Sequence, residues 1–458
     1  MSDFPTLKAL SPLDGRYRKK TAALAACFSE EAIIQYRILV EVKYLKALLQ
    51  LPLPGFSMPA AEVWKTFESG SFSKQAAGRV KEIERTTNHD VKAVEYFLRE
   101  QASAAGMDNI LSLIHFGLTS QDINNTAFPM ALRDAWQEIL RPVIKAVIQC
   151  LIEYSEKWAD IPMLARTHGQ PASPTLLGKE VYVFAERLQH QLDRLENIPF
   201  SGKFGGATGN FNAHHIAFPE IDWPAFADGF LEKDLGLQRQ QTTTQIEHYD
   251  DQAAFFDGLS RINTILIDLD RDLWTYISMD YFKQKIRSGE VGSSAMPHKV
   301  NPIDFENSEG NLGIANALFA HLSAKLPISR LQRDLTDSTV IRNIGVPLGH
   351  SLLAWKSLLN GLDKLIIHEE AIQADLAHHP EVLAEAIQSI LRREGVEDAY
   401  EQLKALTRTH EKIDAQKLAQ FAEGLPLEER VKEIIRNLKP ENYTGLHPWK
   451  KHLPGTRQ

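Results

Sequence analysis

The chain has 458 residues, 43% of them hydrophobic, enough to bury a large core and to divide into two or three domains. Its formal charge of −8 argues against nonspecific nucleic-acid binding, and its two cysteines, Cys27 and Cys150, make neither a disulfide framework nor, by themselves, a structural zinc site. No stretch approaches the roughly 18 uninterrupted apolar residues of a membrane helix, and Asp3 and Pro5 stand where a signal peptide carries a basic and then an apolar run, which predicts a cytoplasmic protein with no membrane partner.

In chain order, residues 1–111 read as an N-terminal helical domain, interrupted by a polar segment near 85–90. A long-helix domain follows over 112–364. Its first apolar run passes through Leu132, Ala135, Ile139, Val143, Val147 and Leu151, steps of three and four that mark one face of a helix, and Pro142 predicts a kink within it. The second run is Val181, Phe184, Leu188, Leu192 and Leu195; the third is Phe255, Leu259, Ile262, Leu266, Leu269 and Leu273. Polar, Gly- or Pro-bearing loops lie near 115–125, 163–175, 201–215 and 283–302, and residues 365–458 form a smaller helical C-terminal domain. Strand-like alternation is scarce, so the fold class is all-α, with three domains around a central long-helix bundle. Several helices are apolar on more than one side, which suits a subunit interface built from the same helices as well as an ordinary monomeric core.

The loop Ser288–Pro302 brings a hydroxyl, an ammonium and an amide within nine residues. A serine is a poor base until a cation stabilises its alkoxide, and Lys299 supplies that field once water is excluded, so Ser293 can take a proton from carbon. Lys299 and Asn301 can hold the adjacent carboxylate, whose charge grows as a carbanion delocalises into it, which is what β-elimination requires. Composition alone leaves a plain solvated loop as the alternative. A Ser–Lys hydrolase is disfavoured because its S-x-x-K spacing is absent: Ser293 and Lys299 are six apart with Pro297 between them.

His168, in Arg166-Thr167-His168-Gly169-Gln170-Pro171-Ala172, sits in a polar loop directly before a helix and can act as a general acid near neutral pH. Glu306, on the helix after the serine loop, can orient it if the fold brings the two together. His89, His115 and His298 share no ligand spacing, so no metal is expected.

The run Gly-Ser-Ser-x-Met-Pro-x-Lys-x-Asn-Pro at 292–302 resembles, without a mismatch, the signature of the fumarase, aspartase and argininosuccinate lyase superfamily. Within it, the segments 11–17, 85–92, 119–122, 166–172, 243–247 and 333–339 are similar to the adenylosuccinate lyase family of the longer bacterial type, while the C-terminal hundred or so residues add little. Gln121 stands where that family more often has Glu. The resemblance implies a homotetramer around a shared helical core, with active sites shared between subunits and no cofactor. It implies small-molecule nucleotide substrates: adenylosuccinate, giving AMP and fumarate, and the succinyl-carboxamide imidazole ribotide SAICAR, giving AICAR and fumarate. In the roles it implies, Ser293 is the base, His168 the acid and Glu306 the partner of the histidine, while Lys299 and Asn301 bind the fumaryl carboxylates with Thr119 and Ser120. Further substrate contacts implied are Arg16, Tyr17, Asn88, His89, Asp90, Gln245, Ser294, Asn307, Arg333, Ser338 and Arg342, of which Arg333, Ser338 and Arg342 suit a phosphate.

Overall fold

Ser29 starts the first long helix, Glu30–Leu48: its backbone is extended and its Oγ accepts from the Ala32 amide at 3.1 Å, satisfying one of the donors that a helix start leaves open. The computed structural model describes residues 7–285, 300–398, 401 and 415–453. The remaining long helices are Ser120–Ala135, Arg141–Lys157, Leu177–Glu196, Asp250–Ser278, Ile303–Lys325 and Gly345–Lys364. All eleven apolar positions expected on the second and third runs are buried, from Val181 to Leu195 and from Phe255 to Leu273. Among the described residues, no helix is long and apolar enough to cross a membrane.

The first run differs in an instructive way. A π-helical turn, Trp136–Leu140, separates Ser120–Ala135 from Arg141–Lys157. Pro142 has no amide hydrogen and its ring crowds the carbonyl of Glu138, so the backbone widens there by one residue instead of keeping the ordinary ladder. The extra residue rotates the buried face. Leu140 and Ile144 are fully buried, whereas Ile139 and Val143, expected inward, are half-buried.

Sheet is confined, among the described residues, to three two-stranded ladders. The longest corrects the expected loop at 163–175: Pro162–Thr167 pairs antiparallel with Gln170–Leu176. Pro171 and Pro174 hide the strand signal, because prolines are tolerated only where a strand edge needs no donor. The turn between the strands is His168-Gly169, both at positive φ (52° and 74°), as a two-residue hairpin of matching twist demands. His168 therefore sits at a hairpin tip, with the helix starting only at Leu177.

The chain forms two compact units, each discontinuous in sequence: residues 1–145, 190–267 and 308–356, and residues 146–189, 268–307 and 357–458. The core of the first gathers Ile38, Leu48, Val94, Phe97, Phe204 and Phe230 with many other buried residues. Tyr44 packs edge-on to Phe204 at 5.4 Å and to Phe230 at 5.7 Å. In the second unit Leu164 of the hairpin packs with Leu376 and Val382, and a separate cluster of Leu383, Ile387, Leu391, Leu425 and Ile435 closes the C-terminal segment. Gly178 lets the helix after the hairpin approach the end of Arg141–Lys157: a Cβ there would lie 2.4 Å from the Ser155 carbonyl oxygen.

Candidate active site

In the first unit the site grows from two helix starts. Asn88, in left-handed conformation (φ 50°), ends the helix Ala76–Thr87. His89 caps the next helix, Asp90–Ala104, with Nδ1 accepting from the Lys92 amide at 3.2 Å, which leaves Nε2 facing Ser120 Oγ at 3.5 Å. Asp90 opens that helix. Its Oδ2 accepts from Arg37 and from Arg342, each at 2.8 Å, and Oδ1 accepts from the Val91 amide at 2.9 Å. Burial alone would raise its pKa, but the two guanidinium groups and the amide hold the carboxyl below the ordinary carboxylate range.

Thr119 precedes the second start, its amide donating to Asp122 Oδ2 at 2.8 Å. The other oxygen of Asp122 takes Lys203 Nζ at 2.7 Å and the amide of Gly205 at 2.9 Å; both charged side chains are fully buried. Burial lowers the Lys203 pKa, opposed by Asp122. This pair ties the start of Ser120–Ala135 to the loop 203–209.

In the same first turn, Gln121 Nε2 donates to Asp337 Oδ2 at 2.9 Å, and Tyr249 donates to the same oxygen at 3.0 Å. An amide suits this place, because a carboxylate at residue 121 would face a second carboxylate across the same distance. Beside it, Arg333 donates to Ser338 Oγ at 3.1 Å and to Gln245 Oε1 at 3.4 Å, and Arg342 Nε donates to the Ser338 carbonyl at 3.2 Å. A cavity of about 10 Å³, roughly the space of one water, is bounded by Arg37, Gln121, Asn124, Tyr249, Ser338 and Arg342. Arg333 Nε and Gln121 Oε1 are buried and find no partner among the described residues.

Nine of the residues singled out in the sequence thus lie on or beside one path in this unit: Asn88, His89, Asp90, Thr119, Ser120, Arg342, Ser338, Arg333 and Gln245. Arg16 and Tyr17 lie in the N-terminal segment before the first long helix, with the guanidinium 5.8 Å from the ring centroid. Sequence reasoning missed Arg37, and a signal was there: Arg37 and Glu41 are one turn apart, flanked by the apolar residues Ile33, Ile34, Ile38, Val40 and Val42, and both are buried. It also missed Asp337 and Tyr249, whose roles depend on contacts far along the chain.

The second unit carries His168, Asn301, Glu306 and Asn307. His168 is exposed at the hairpin tip. Arg166, two residues earlier, places one guanidinium nitrogen on both carboxylate oxygens of Asp375, at 2.7 and 3.0 Å, and its other end 3.5 Å from the Gly169 carbonyl. Glu306 accepts from Trp274 Nε1 at 3.1 Å, and no hydrogen bond or ion pair joins it to His168 among the described residues. Asn307 donates to Ser357 Oγ at 3.0 Å. Ser293, Ser294 and Lys299 lie outside the described residues. Among the described residues no three His, Cys, Asp or Glu side chains cluster to hold a metal.

Two solved structures share the fold, a fumarate lyase from Mesorhizobium sp. (19% identical, TM-score 0.74, 93% of this chain and 95% of that one) and a 3-carboxy-cis,cis-muconate lactonizing enzyme from Pseudomonas putida (20%, TM-score 0.74, 93% and 94%). Residues 15–316 match the lyase family, which defines the class. Residues 329–444 match the adenylosuccinate lyase C-terminal family, extending the likeness through a segment whose motifs are inconspicuous in the sequence. The chain is 50% identical to adenylosuccinate lyase of Dictyostelium discoideum, covering 96% of this chain and 97% of that protein, and 47% identical to those of Vibrio cholerae and Escherichia coli, covering 97% and 98%. The chain belongs to the adenylosuccinate lyase family, and it is a lyase acting on a carbon–nitrogen bond.

Proposed function

We propose that the protein removes fumarate from adenylosuccinate, leaving AMP, and from SAICAR, leaving AICAR, by anti elimination without a cofactor. Ser293 takes a proton from the succinyl carbon, and the resulting carbanion delocalises into a carboxylate held by Lys299 and Asn301 with Thr119 and Ser120. His168 then protonates the departing nitrogen, with Glu306 as its partner. Ser294, Asn307, Arg16, Tyr17 and Gln245 contact substrate, and Asn88, His89 and Asp90 line the nucleotide side. Arg333 and Arg342, flanking Ser338, take the phosphate, since guanidinium groups bind it bidentately.

The observation that carries this reading is the path of hydrogen bonds from Asp90 through Arg342, Ser338 and Arg333 to Gln245, which fixes two cationic groups on one serine, Arg333 at its hydroxyl and Arg342 at its carbonyl. Residues 1–111, 112–364 and 365–458 act in this reading as three domains, the middle one supplying helices for a cytoplasmic tetramer whose sites draw on several subunits. Glu306 meets His168 across subunits on this view, in keeping with its bond to Trp274 within the chain.

The test is product identification. Purified protein incubated with adenylosuccinate should yield AMP and fumarate by chromatography, and neither product appearing would end the assignment. Sedimentation of the active form should give a tetramer; an active monomer would remove the shared site.

A further inference from the structure

Residue 375 lies on the helix Glu369–Ala377, within the segment matching the C-terminal family, and no step of the chemistry above uses it. Its carboxylate is the centre of a local cluster in the second unit. Arg166 NH2 donates to both oxygens, Tyr281 OH donates to Oδ2, and His379 Nε2 lies 3.4 Å from Oδ1 while its Nδ1 meets Glu381 at 2.7 Å. Burial would raise the Asp375 pKa, but the bonds from Tyr281 and Arg166 outweigh it and keep the carboxyl ionised. Next to this polar clamp, Leu376 packs on Leu164 of the hairpin strand. The helix therefore grips the hairpin through an apolar contact and an ionic one.

What the grip holds is the turn His168-Gly169. Both residues are in left-handed conformation, which suits Gly169 and costs energy at His168. Arg166 spans the turn, one arm on Asp375 and the other at the Gly169 carbonyl. The side chains of Arg166 and Asp375 are 28% and 23% exposed, so water screens their pairing less than it screens a fully exposed ion pair. A general acid must be held to a fraction of an ångström, and an exposed imidazole on a two-residue turn has little else to hold it.

We propose that Asp375 is a positioning residue: through Arg166 it braces the hairpin tip that presents His168, so the C-terminal segment serves the proton transfer to the leaving nitrogen. The proposal rests on the reading of His168 as the acid and adds a residue, a mechanism and a job for that segment.

The experiment is a double-mutant cycle on the full-length enzyme with adenylosuccinate as substrate. Asp375→Ala is expected to lower kcat by about 100-fold, the penalty of misplacing a catalytic group by about 1 Å, with KM changed by less than about threefold since nucleotide contacts lie elsewhere. In a His168→Gln background the same substitution should lower kcat by less than about twofold, because a group acting through His168 has nothing left to position. Asp375→Glu, which keeps the charge, should restore part of the loss. A merely structural role would give equal losses in both backgrounds, and that result overturns the proposal. Should Asp375→Ala fail to fold, Asp375→Asn takes its place in the cycle with the same criterion. If His168→Gln abolishes turnover while the Asp375 variants keep wild-type kcat, the proposal alone falls. If His168→Gln keeps full turnover, the functional reading of His168 falls and the proposal falls with it.

Discussion

Asp90 joins a stability role to a binding role, and substitution separates them. Its Oδ2 accepts from two guanidinium groups at the same distance, 2.8 Å, but Arg37 is 2% exposed and Arg342 is 46% exposed. Two charges about 4 Å apart attract by about 4 kcal/mol at an effective dielectric of 20, and water screens the exposed pair far below that. Asp90→Asn leaves Arg37 buried with only the Asn124 amide oxygen, at 2.9 Å, and a neutral partner. An uncompensated buried charge costs about 3–5 kcal/mol, and since Asn still accepts one bond the lower end, about 3 kcal/mol, is expected. Arg342→Ala should cost less than about 1 kcal/mol of stability, yet raise KM for a phosphate-bearing substrate about tenfold or more. Urea unfolding at fixed protein concentration, followed by circular dichroism, reads the first effect and steady-state kinetics the second. Equal destabilisation by Arg342→Ala and Asp90→Asn would refute the reasoning, as would a wild-type urea midpoint for Asp90→Asn. The acid limb provides a second check. The Asp90 pKa is depressed in the folded protein, so its contribution is complete above the unfolded carboxyl value near 4 and is lost as pH falls through the lower folded value; Asp90→Asn should flatten that part of the profile.

Ser293→Ala and His168→Ala should each reduce turnover by about 100-fold or more while leaving the circular dichroism spectrum unchanged, and full activity in Ser293→Ala would move the base to Ser294. Lys203→Met, by stranding the fully buried Asp122, should cost about 3–5 kcal/mol in urea unfolding; adding Asp122→Leu should recover part of it, and a further loss would contradict the ion-pair account. Gly178→Ala forces a Cβ against the Ser155 carbonyl and should lower stability by about 1–3 kcal/mol, measured as a drop in Tm. His214 is fully buried, and burial lowers its pKa to about 4. Its unfolded pKa is about 6.5, so stability should be complete above that value and fall by up to about 3 kcal/mol as pH drops toward 4. A His214→Phe variant with an unchanged pH profile would refute the assignment.

Much of the candidate chemistry was legible because it rests on residue types at short spacing. Ser293, Lys299 and Asn301 fall within nine residues of one another, and that short separation alone says that they can converge. The helical runs were equally legible, since burial of one face follows from a 3.6-residue period. The failures were local and physical. At Pro142 the period was broken by a π turn, which moved the buried positions from Ile139 and Val143 to Leu140 and Ile144. At 162–176 two prolines masked a hairpin, and the tip turned out to be a pair of left-handed residues that nothing in the alternation of polarity reports.

By itself, then, the sequence determined the mainly helical class, the buried faces of the helices Leu177–Glu196 and Asp250–Ser278, and the family, because each is written in short-range period or contiguous motif. Only the tertiary structure decided that Arg37 grips Asp90 from 53 residues away, that Gln121 faces Asp337 across 216, and that Arg166 meets Asp375 across 209. Those pairings depend on which buried surfaces meet when the helices pack, and a charge inside that packing must find its partner wherever the chain has brought one.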